Sequence, residues 1–329
     1  MKASVCRPGD LGAGEIEQWR AFQGTAGLET PFLSPEFSQA VGEVFSSARV
    51  AVVHDGPDLV GFLPFTSLPF RAASAIGGYL SGIQAFVPSG AEWTFEAVMR
   101  AARIELFEFG RLLARQRPAS ATAHELDAGA IDLTEGFEAF LAVARQAKFV
   151  KEMERKRRRL EREDPELRFE FGTHDLAAVA QLVAWKSDQL VRTGRPDMFA
   201  RPGVRELLER IASADSPAMT GSVSYLRSGA RLLAVDVGIR SATVFAGWRT
   251  AYDVAEAPKS PGAVNLLCLL EAAAAAGLQR VDMGAGDETF KSRLANRTLT
   301  LLEGYVGRAT VGRRVSTRIR RLLRTESEA

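Results

Sequence analysis

Cysteine and histidine are scarce in this 329-residue chain: Cys6 and Cys268 are its two cysteines, and His54, His124 and His174 its three histidines. The cysteines lie too far apart to make a metal-binding spacing or a disulfide framework. That usage fits a reducing compartment, and a cytoplasmic protein is expected. No two histidines have the spacing of a zinc-ligand pair and no cysteine joins them, so no metal site is expected. Charge of one sign is also missing. The formal net charge is +2, from 42 basic and 40 acidic residues. Such a balance exerts no global pull on nucleic acid, so any phosphate-binding feature must be local. No apolar run reaches 18 residues without a charge. The nearest, "GAVNLLCLLEAAAAAGL", is interrupted by Glu271 and reads as a core helix rather than a membrane span. The N-terminus, "MKASVCRPGDLGAGEIEQW", turns acidic early and does not read as a signal peptide. The dinucleotide glycine fingerprint, the P-loop and the nucleophile elbow are absent as well.

What is present is an alternation of helix and strand signals. Val50–Val53 and Leu59–Phe65 read as strands around the turn "HDGPD". The glycine-rich "AIGGYLSGIQAFV" suggests a strand with close backbone approach. A helix is expected from about Glu96 to Ala114. A basic helix follows, which Pro165 ends, and then a strand over Leu167–Phe171. Asp175 is a plausible N-cap for the next helix. Residues 221–250 give three strand signals with small residues between them, as in an antiparallel meander. A long apolar helix, the strand "LQRVDM", a polar turn and a last strand "TLTLLEGYVG" complete the chain. The order is that of an α+β, mixed α/β protein, and the first half faintly repeats the second.

Four stretches carry candidate chemistry. In "APKSPGAVNLL", Lys259, Ser260 and Gly262 precede a helix whose free N–H groups and dipole favour an anion; an ordinary capped helix start is the alternative. In "VDMGAGDETFKSRL", Gly284 and Gly286 permit a tight turn. Asp282, Asp287 and Glu288 need partners if buried, which Lys291 and Arg293 could supply. One of these carboxylates could act as a general base; a solvated, salt-bridged turn is the alternative. Tyr252 could orient substrate or protonate a leaving thiolate, or simply pack. Trp248, on the preceding strand, suits a core or pocket wall. Residues 148–162 hold eight basic and three acidic side chains. Lys151, Arg155, Arg158 and Arg162 fall on one helical face that suits phosphates, unless it is an exposed face laced by ion pairs. The C-terminal "GRRVSTRIRRLLRTESEA" is basic, with Val315, Ile319, Leu322 and Leu323 on one face; weak peripheral membrane contact is one reading and packing or fraying another.

Together with "TPFLSPEF" (Thr30–Phe37) and "LVGFLPF" (Leu59–Phe65), the basic helix around Lys156–Arg159 and the run from "TAYDVAEAPKSPG" to "VDMGAGDETFKSRL" carry a resemblance. In order and spacing the chain resembles GNAT-superfamily acyltransferases of the FemAB-like and CelD-like type, linked to cellulose and exopolysaccharide synthesis. The resemblance covers residues 20 to 305, roughly. It implies tandem GNAT-like domains, each a central mixed sheet flanked by helices. These would be a degenerate domain over residues 1–135, a second over 136–308 with the basic helix and donor site, and a basic tail over 309–329. It implies N- or O-acyl transfer from acetyl-CoA or another acyl-CoA to a sugar or lipid-linked sugar of the cell envelope, at the inner face of the membrane. Donor contacts would come from Lys259, Ser260, Gly262 and Ala263. Catalytic groups would be drawn from Asp282, Asp287, Glu288, Tyr252 and Lys291, and substrate contacts from Lys151, Arg155, Arg158, Trp248, Gly284 and Gly286. An aminoacyl-tRNA-dependent peptidyl transferase, partnered by tRNA, is the alternative within the family. A non-catalytic scaffold for polysaccharide machinery is the alternative outside enzymes.

Overall fold

The computed structural model describes residues 1–25, 27–285 and 293–307. They divide into two compact units, Met1–Ala128 with the strand residues Leu299–Gly307, and Gly129–Thr298.

In the first unit, β1 (Lys2–Cys6), β2 (Ala48–Asp55), β3 (Asp58–Leu68) and β4 (Ala72–Ala75) pair antiparallel in succession, and the short β5 (Val87–Pro88) adds to β3. β6 (Leu106–Leu113) then pairs parallel to β4, and the last strand of the chain, β13 (Arg297–Gly307), lies antiparallel on β6. Helices α1 (Ala13–Gln23), α2 (Pro35–Val44) and α3 (Phe95–Ala101) accompany this sheet. "TPFLSPEF" is the turn and helix start before and into α2. Ser34 accepts a hydrogen bond from the Phe37 N–H at 3.0 Å, and Pro35 opens the helix with its φ already set. Phe32, Leu33 and Phe37 are buried, and Trp19 stacks on Phe62 at 4.7 Å while donating to the Leu33 carbonyl. The motif is therefore part of the first unit's core.

Two expectations fail here. The helix expected to Ala114 stops at Ala101, and Leu106–Leu113 is a strand. β6 lies between β4 and β13 and is covered on both faces, so its sequence lacks the alternation that marks a half-exposed strand. "AIGGYLSGIQAFV" is mostly turn rather than strand, with one turn of 3₁₀ helix at Gly78–Leu80. The close approach is real but is to a ring: a Cβ on Gly82 would lie 2.2 Å from Phe32.

In the second unit, α4 (Phe137–Ala144), α5 (Lys148–Glu163), β8 (Leu167–Thr173), α6 (Leu176–Arg192) and α7 (Val204–Ala212) precede the meander β9 (Thr220–Ser228), β10 (Arg231–Arg240) and β11 (Val244–Tyr252). The long helix α8 (Pro261–Ala275) and β12 (Arg280–Ala285) follow. β7 (Thr122–Asp132) enters the unit at Gly129. The strand order β12-β11-β10-β9-β8 is antiparallel except for β11 and β12, which run parallel because α8 carries the chain back between them. Asp175 caps α6, accepting from the N–H groups of Ala177 and Ala178. The fold is thus mixed α/β, with central mixed sheets flanked by helices.

Packing at the centre of the second sheet is tight. A Cβ on Gly238 of β10 would stand 2.4 Å from the Phe245 ring and 2.8 Å from the Ala246 carbonyl oxygen. The ring could turn aside, but the backbone oxygen could not without breaking the β10–β11 ladder. Gly238→Val should therefore destabilise the second unit by about 1–3 kcal/mol through overpacking. Urea unfolding checks this, and an unchanged midpoint would show that the strands have more slack than these distances allow.

Candidate active site

The site begins where a ladder ends. Among the described residues β11 and β12 pair at Val244–Arg280, Phe245–Val281 and Ala246–Asp282 and no further, although β11 continues to Tyr252 and β12 to Ala285. The cause lies on the other edge of β11. Val237 of β10 pairs with Arg249, and Gly238 pairs with Gly247, so Trp248 is an extra residue on β11 at this point of the register. A bulge of this kind bends its strand and raises its twist, which turns β11 away from β12 immediately after Ala246. Parallel strands that diverge leave backbone N–H and C=O groups facing each other across a gap, and these must find other partners.

Asp282, the last residue of the paired stretch, is buried and accepts two hydrogen bonds from the Arg280 guanidinium, at 2.8 and 3.3 Å. Residues two apart on a strand share a face, so the pair clamps the root of the fork. Neutralising Asp282 would remove one charge of a buried pair, which is destabilising. In this geometry Asp282 is the counter-ion of Arg280. Gly284 has φ +75°, so β12 departs from extended geometry in a way that favours glycine.

α8 starts at the far end of β11. Ser260 precedes it with φ 54° and ψ 53°, a left-handed conformation that costs a non-glycine residue about 1–2 kcal/mol. Its side chain does not cap the helix. Its hydroxyl instead accepts a 2.6 Å hydrogen bond from the Lys156 ammonium of α5. Pro261 has no N–H, and the N–H groups of Ala263 and Val264 reach the Ser260 carbonyl. Gly262 is left to present its own, as first-turn residues do. The Tyr252 ring covers it: a Cβ on Gly262 would lie 3.2 Å from Tyr252 Cδ1. A lysine ammonium thus stands beside the positive end of a helix dipole, with a neutral hydroxyl between them. Electrostatics disfavours this arrangement until an anion arrives.

The other expected residues are distributed differently. Lys259 turns back to Glu256 at 2.6 Å, and Glu256 also holds Arg231, so Lys259 belongs to the ion-pair network of the loop before α8. Lys151, Arg155 and Arg158 lie on the exposed face of α5, and Arg155 is paired with Glu152 at 2.6 Å. The buried stripe of that helix is Val150, Met153 and Leu160, and the residues flanking it inward are Lys156 and Arg157. Trp248 is half-buried, with the Arg249 guanidinium 5.5 Å from its ring centre. Gly286, Asp287, Glu288 and Lys291 lie outside the described residues. One further residue was not expected. Asn265, one turn into α8, is fully buried, and neither amide atom has a partner among the described residues. A buried amide left in this state costs about 1–3 kcal/mol for each unsatisfied group.

Residues 147–292 match the family model described as Acetyltransferase (GNAT) domain. This segment is a GNAT acetyltransferase domain. Its span starts at α5 and takes in the fork, α8 and Tyr252. Among solved structures, the chain is similar to the C-terminal domain (DUF2156) of an Agrobacterium fabrum protein provisionally named lysylphosphatidylglycerol synthetase, with 12% identity, 94% of this chain and 96% of that one covered, and a TM-score of 0.59. It is similar to FemX, with 10% identity, 88% and 94% covered and a TM-score of 0.54. It is also similar to a tandem GNAT protein from the clavulanic acid biosynthesis pathway, with 11% identity, 93% and 98% covered and a TM-score of 0.50. These likenesses establish the fold. No curated relative matches the chain by sequence.

The GNAT domain contains one cysteine, on α8. Cys268 is buried beneath an open pocket of about 230 Å³ between α5 and α8, whose rim carries the 2.6 Å ion pair of Arg157 with Glu271. Burial pushes its thiol up to about 11, against the opposing pull of Arg157. At neutral pH it is therefore protonated and a poor nucleophile. Iodoacetamide at pH 7.5 should leave Cys268 unmodified in the folded protein while labelling it in urea. Rapid labelling of the native protein, read by peptide mass spectrometry, would reopen covalent catalysis by this residue.

Proposed function

We propose that the GNAT domain transfers an acyl group from acetyl-CoA or another acyl-CoA to an amine or hydroxyl. The observation that carries this reading is the Lys156 ammonium held on Ser260 at the start of α8. The diphosphate of a CoA donor would draw on Lys156, the Ser260 hydroxyl and the Gly262 N–H, with Ala263 next to them in the first turn. Its amide-rich arm suits the open edges of β11 and β12, where a linear chain with N–H and C=O groups replaces the missing ladder partners. Lys259 then helps through the loop network rather than by direct contact.

Catalysis in this reading is direct attack by the acceptor. Positioning in the fork and polarisation of the acyl carbonyl supply much of the effect. Tyr252, exposed at the end of β11, is the proposed donor of a proton to the leaving thiolate. Asp287 or Glu288, in the sequence after β12, is the proposed base, with Lys291 as its partner. Atoms balance without a further reactant: the bond from acyl carbon to sulfur breaks, that to the acceptor N or O forms, and the acceptor proton passes to the base.

For the acceptor, we favour a phosphate-bearing sugar or lipid-linked sugar of the cell envelope. The exposed stripe of Lys151 and Arg158, extended by Arg162, supports an anionic partner, and Trp248 offers an aromatic surface for a sugar ring. The type of pathway, exopolysaccharide synthesis, and a place at the inner face of the membrane are part of the same proposal. No helix among the described residues is long and apolar enough to cross a membrane. In the tandem arrangement we propose, residues 1–135 form the degenerate domain and residues 136–308 the one that carries the donor site.

Titration calorimetry with acetyl-CoA and free CoA tests the donor assignment. Both should bind saturably. Lys156→Ala should weaken each by about tenfold or more, the scale of a charge-assisted hydrogen bond. Gly262→Val should abolish binding by driving a side chain into Tyr252, whereas Arg158→Ala should leave it within about twofold, as an exposed charge would. Absence of heat with any acyl-CoA would sink the reading and turn attention to aminoacyl-tRNA. Full affinity in Lys156→Ala would mean that the anion does not sit at α8.

A further inference from the structure

Four non-glycine residues among those described have left-handed backbone conformations: Ser260 at the start of α8, and Phe70, Arg71 and Arg103 in the first unit. Such strain persists where the surrounding structure imposes it, and it concentrates at functional positions. The three in the first unit lie at one end of its sheet. Phe70 and Arg71 form the turn between β3 and β4, closed by the Ala72 N–H donating to the Pro69 carbonyl. Arg103 lies in the turn between α3 and β6. The two turns are joined: the Glu105 N–H donates to the Arg71 carbonyl at 2.9 Å, and the Arg71 guanidinium meets Glu105 at 3.4 Å.

The turn presents an unusual side chain. Phe70 is 82% exposed, more than any other large apolar residue among those described. Pro69 and Arg71 beside it are exposed, as are Arg100 and Arg103 across the junction. β13 ends at this same place. Gly307 pairs with Leu106, and its α-carbon comes so near the Glu105 carbonyl that a Cβ there would overlap it. The chain that continues from Gly307, residues 308–329, holds seven arginines against two glutamates, with Val315, Ile319, Leu322 and Leu323 interspersed.

We propose that this end of the first unit is a docking surface for an anionic lipid bilayer, with Phe70 as the side chain that enters the interface. A single ring at the apex of a rigid turn is too small for a stable protein interface. It suits insertion among headgroups when cations ring it. Arg100 and Arg103, exposed across the junction, provide attraction to an anionic leaflet. The left-handed backbone at Phe70 and Arg71 shapes the turn on which the ring stands exposed. Docking by this end is independent of what the second unit transfers.

The test uses the full chain and sedimentation with vesicles, either equimolar phosphatidylglycerol and phosphatidylcholine or phosphatidylcholine alone. The protein should partition onto the mixed vesicles and not onto the neutral ones. Phe70→Asn removes the ring but keeps a residue that tolerates the left-handed region. It should lower the partition coefficient about tenfold, in line with partial burial of one aromatic side chain. Phe70→Trp should show an emission blue shift on the mixed vesicles beyond that of the parent protein. Circular dichroism melts of both variants confirm folding. Three results overturn the proposal: no binding to the mixed vesicles, equal binding by Phe70→Asn, or vesicle binding by Phe70→Trp without the shift. A change in the oligomeric state of Phe70→Asn with vesicle binding intact would assign the ring to contact between copies of the chain, and would also overturn it.

Discussion

One missing set of hydrogen bonds organises the second unit: the pairs that β11 and β12 do not make beyond Ala246 and Asp282. Backbone groups withheld from a ladder are costly unless something else takes them, so the fork needs both a cause and a support. Trp248 supplies the cause, because an inserted residue on β11 bends that strand alone. The Arg280–Asp282 pair supplies the support by fixing β12 at the last shared rung. Gly238 and Gly247 face each other at the bulge, which gives the bend room beside the Phe245 ring. α8 then starts where the bent strand ends, and this brings its dipole and Lys156 to the open side of the parallel β11–β12 pair.

The first unit repeats much of this plan with a different outcome. Its antiparallel run β1-β2-β3-β4 is followed by a parallel partner, β6, just as β8-β9-β10-β11 is followed by β12. The connection differs. The helix in the first unit, α3, has seven residues, and Thr94 caps it in the ordinary way, accepting from the Ala97 N–H at 3.2 Å. That cap uses the donors that an anion would need. Ser260 holds the same position before α8, yet it is twisted into the left-handed region and gives its hydroxyl to a lysine, which leaves the helix start open. A side chain that turns toward or away from its own helix thus separates a closed start from an open one. The length of α8 adds to the contrast, since fifteen residues of aligned peptides give a fuller dipole than seven.

Much of this was legible in the sequence. The meander, the apolar helix, the strand after it and the Asp175 cap follow from periodicity and turn residues, and "APKSPGAVNLL" marks the helix start correctly. The lysine that meets Ser260 is not singled out by the sequence. Spacing alone selects Lys151, Arg155 and Arg158 as a row, but spacing cannot say which way a row faces. The apolar residues could have done so: Val150, Met153 and Leu160 set the inward direction of α5, and Lys156 lies on that side. Lys259 looked suitable because it is adjacent in sequence, whereas its partner Glu256 is one 3₁₀ turn earlier and competes for it. The bulge at Trp248 leaves no mark in composition, since it depends on register with β10. β6 was hidden for a related reason: a strand buried on both faces carries no alternation to read.

The features on which the proposed donor site rests are also those that burden the fold. Ser260 is strained, Lys156 is placed against a helix dipole, Asn265 buries an amide without a partner among the described residues, and the fork forgoes ladder bonds. None of these helps the unit fold, and a sequence under pressure for stability alone would replace each cheaply: glycine for Ser260, leucine for Asn265, a normal register for the bulge. Their coincidence within one turn-and-a-half of α8 and the adjoining strand ends is hard to explain as four separate defects. A single extended ligand with an anionic end and an amide-bearing chain answers two of them at once, by neutralising the charge at the helix start and supplying partners along the fork. It also gives the strain at Ser260 a reason, because the left-handed turn is what keeps that hydroxyl off its own helix.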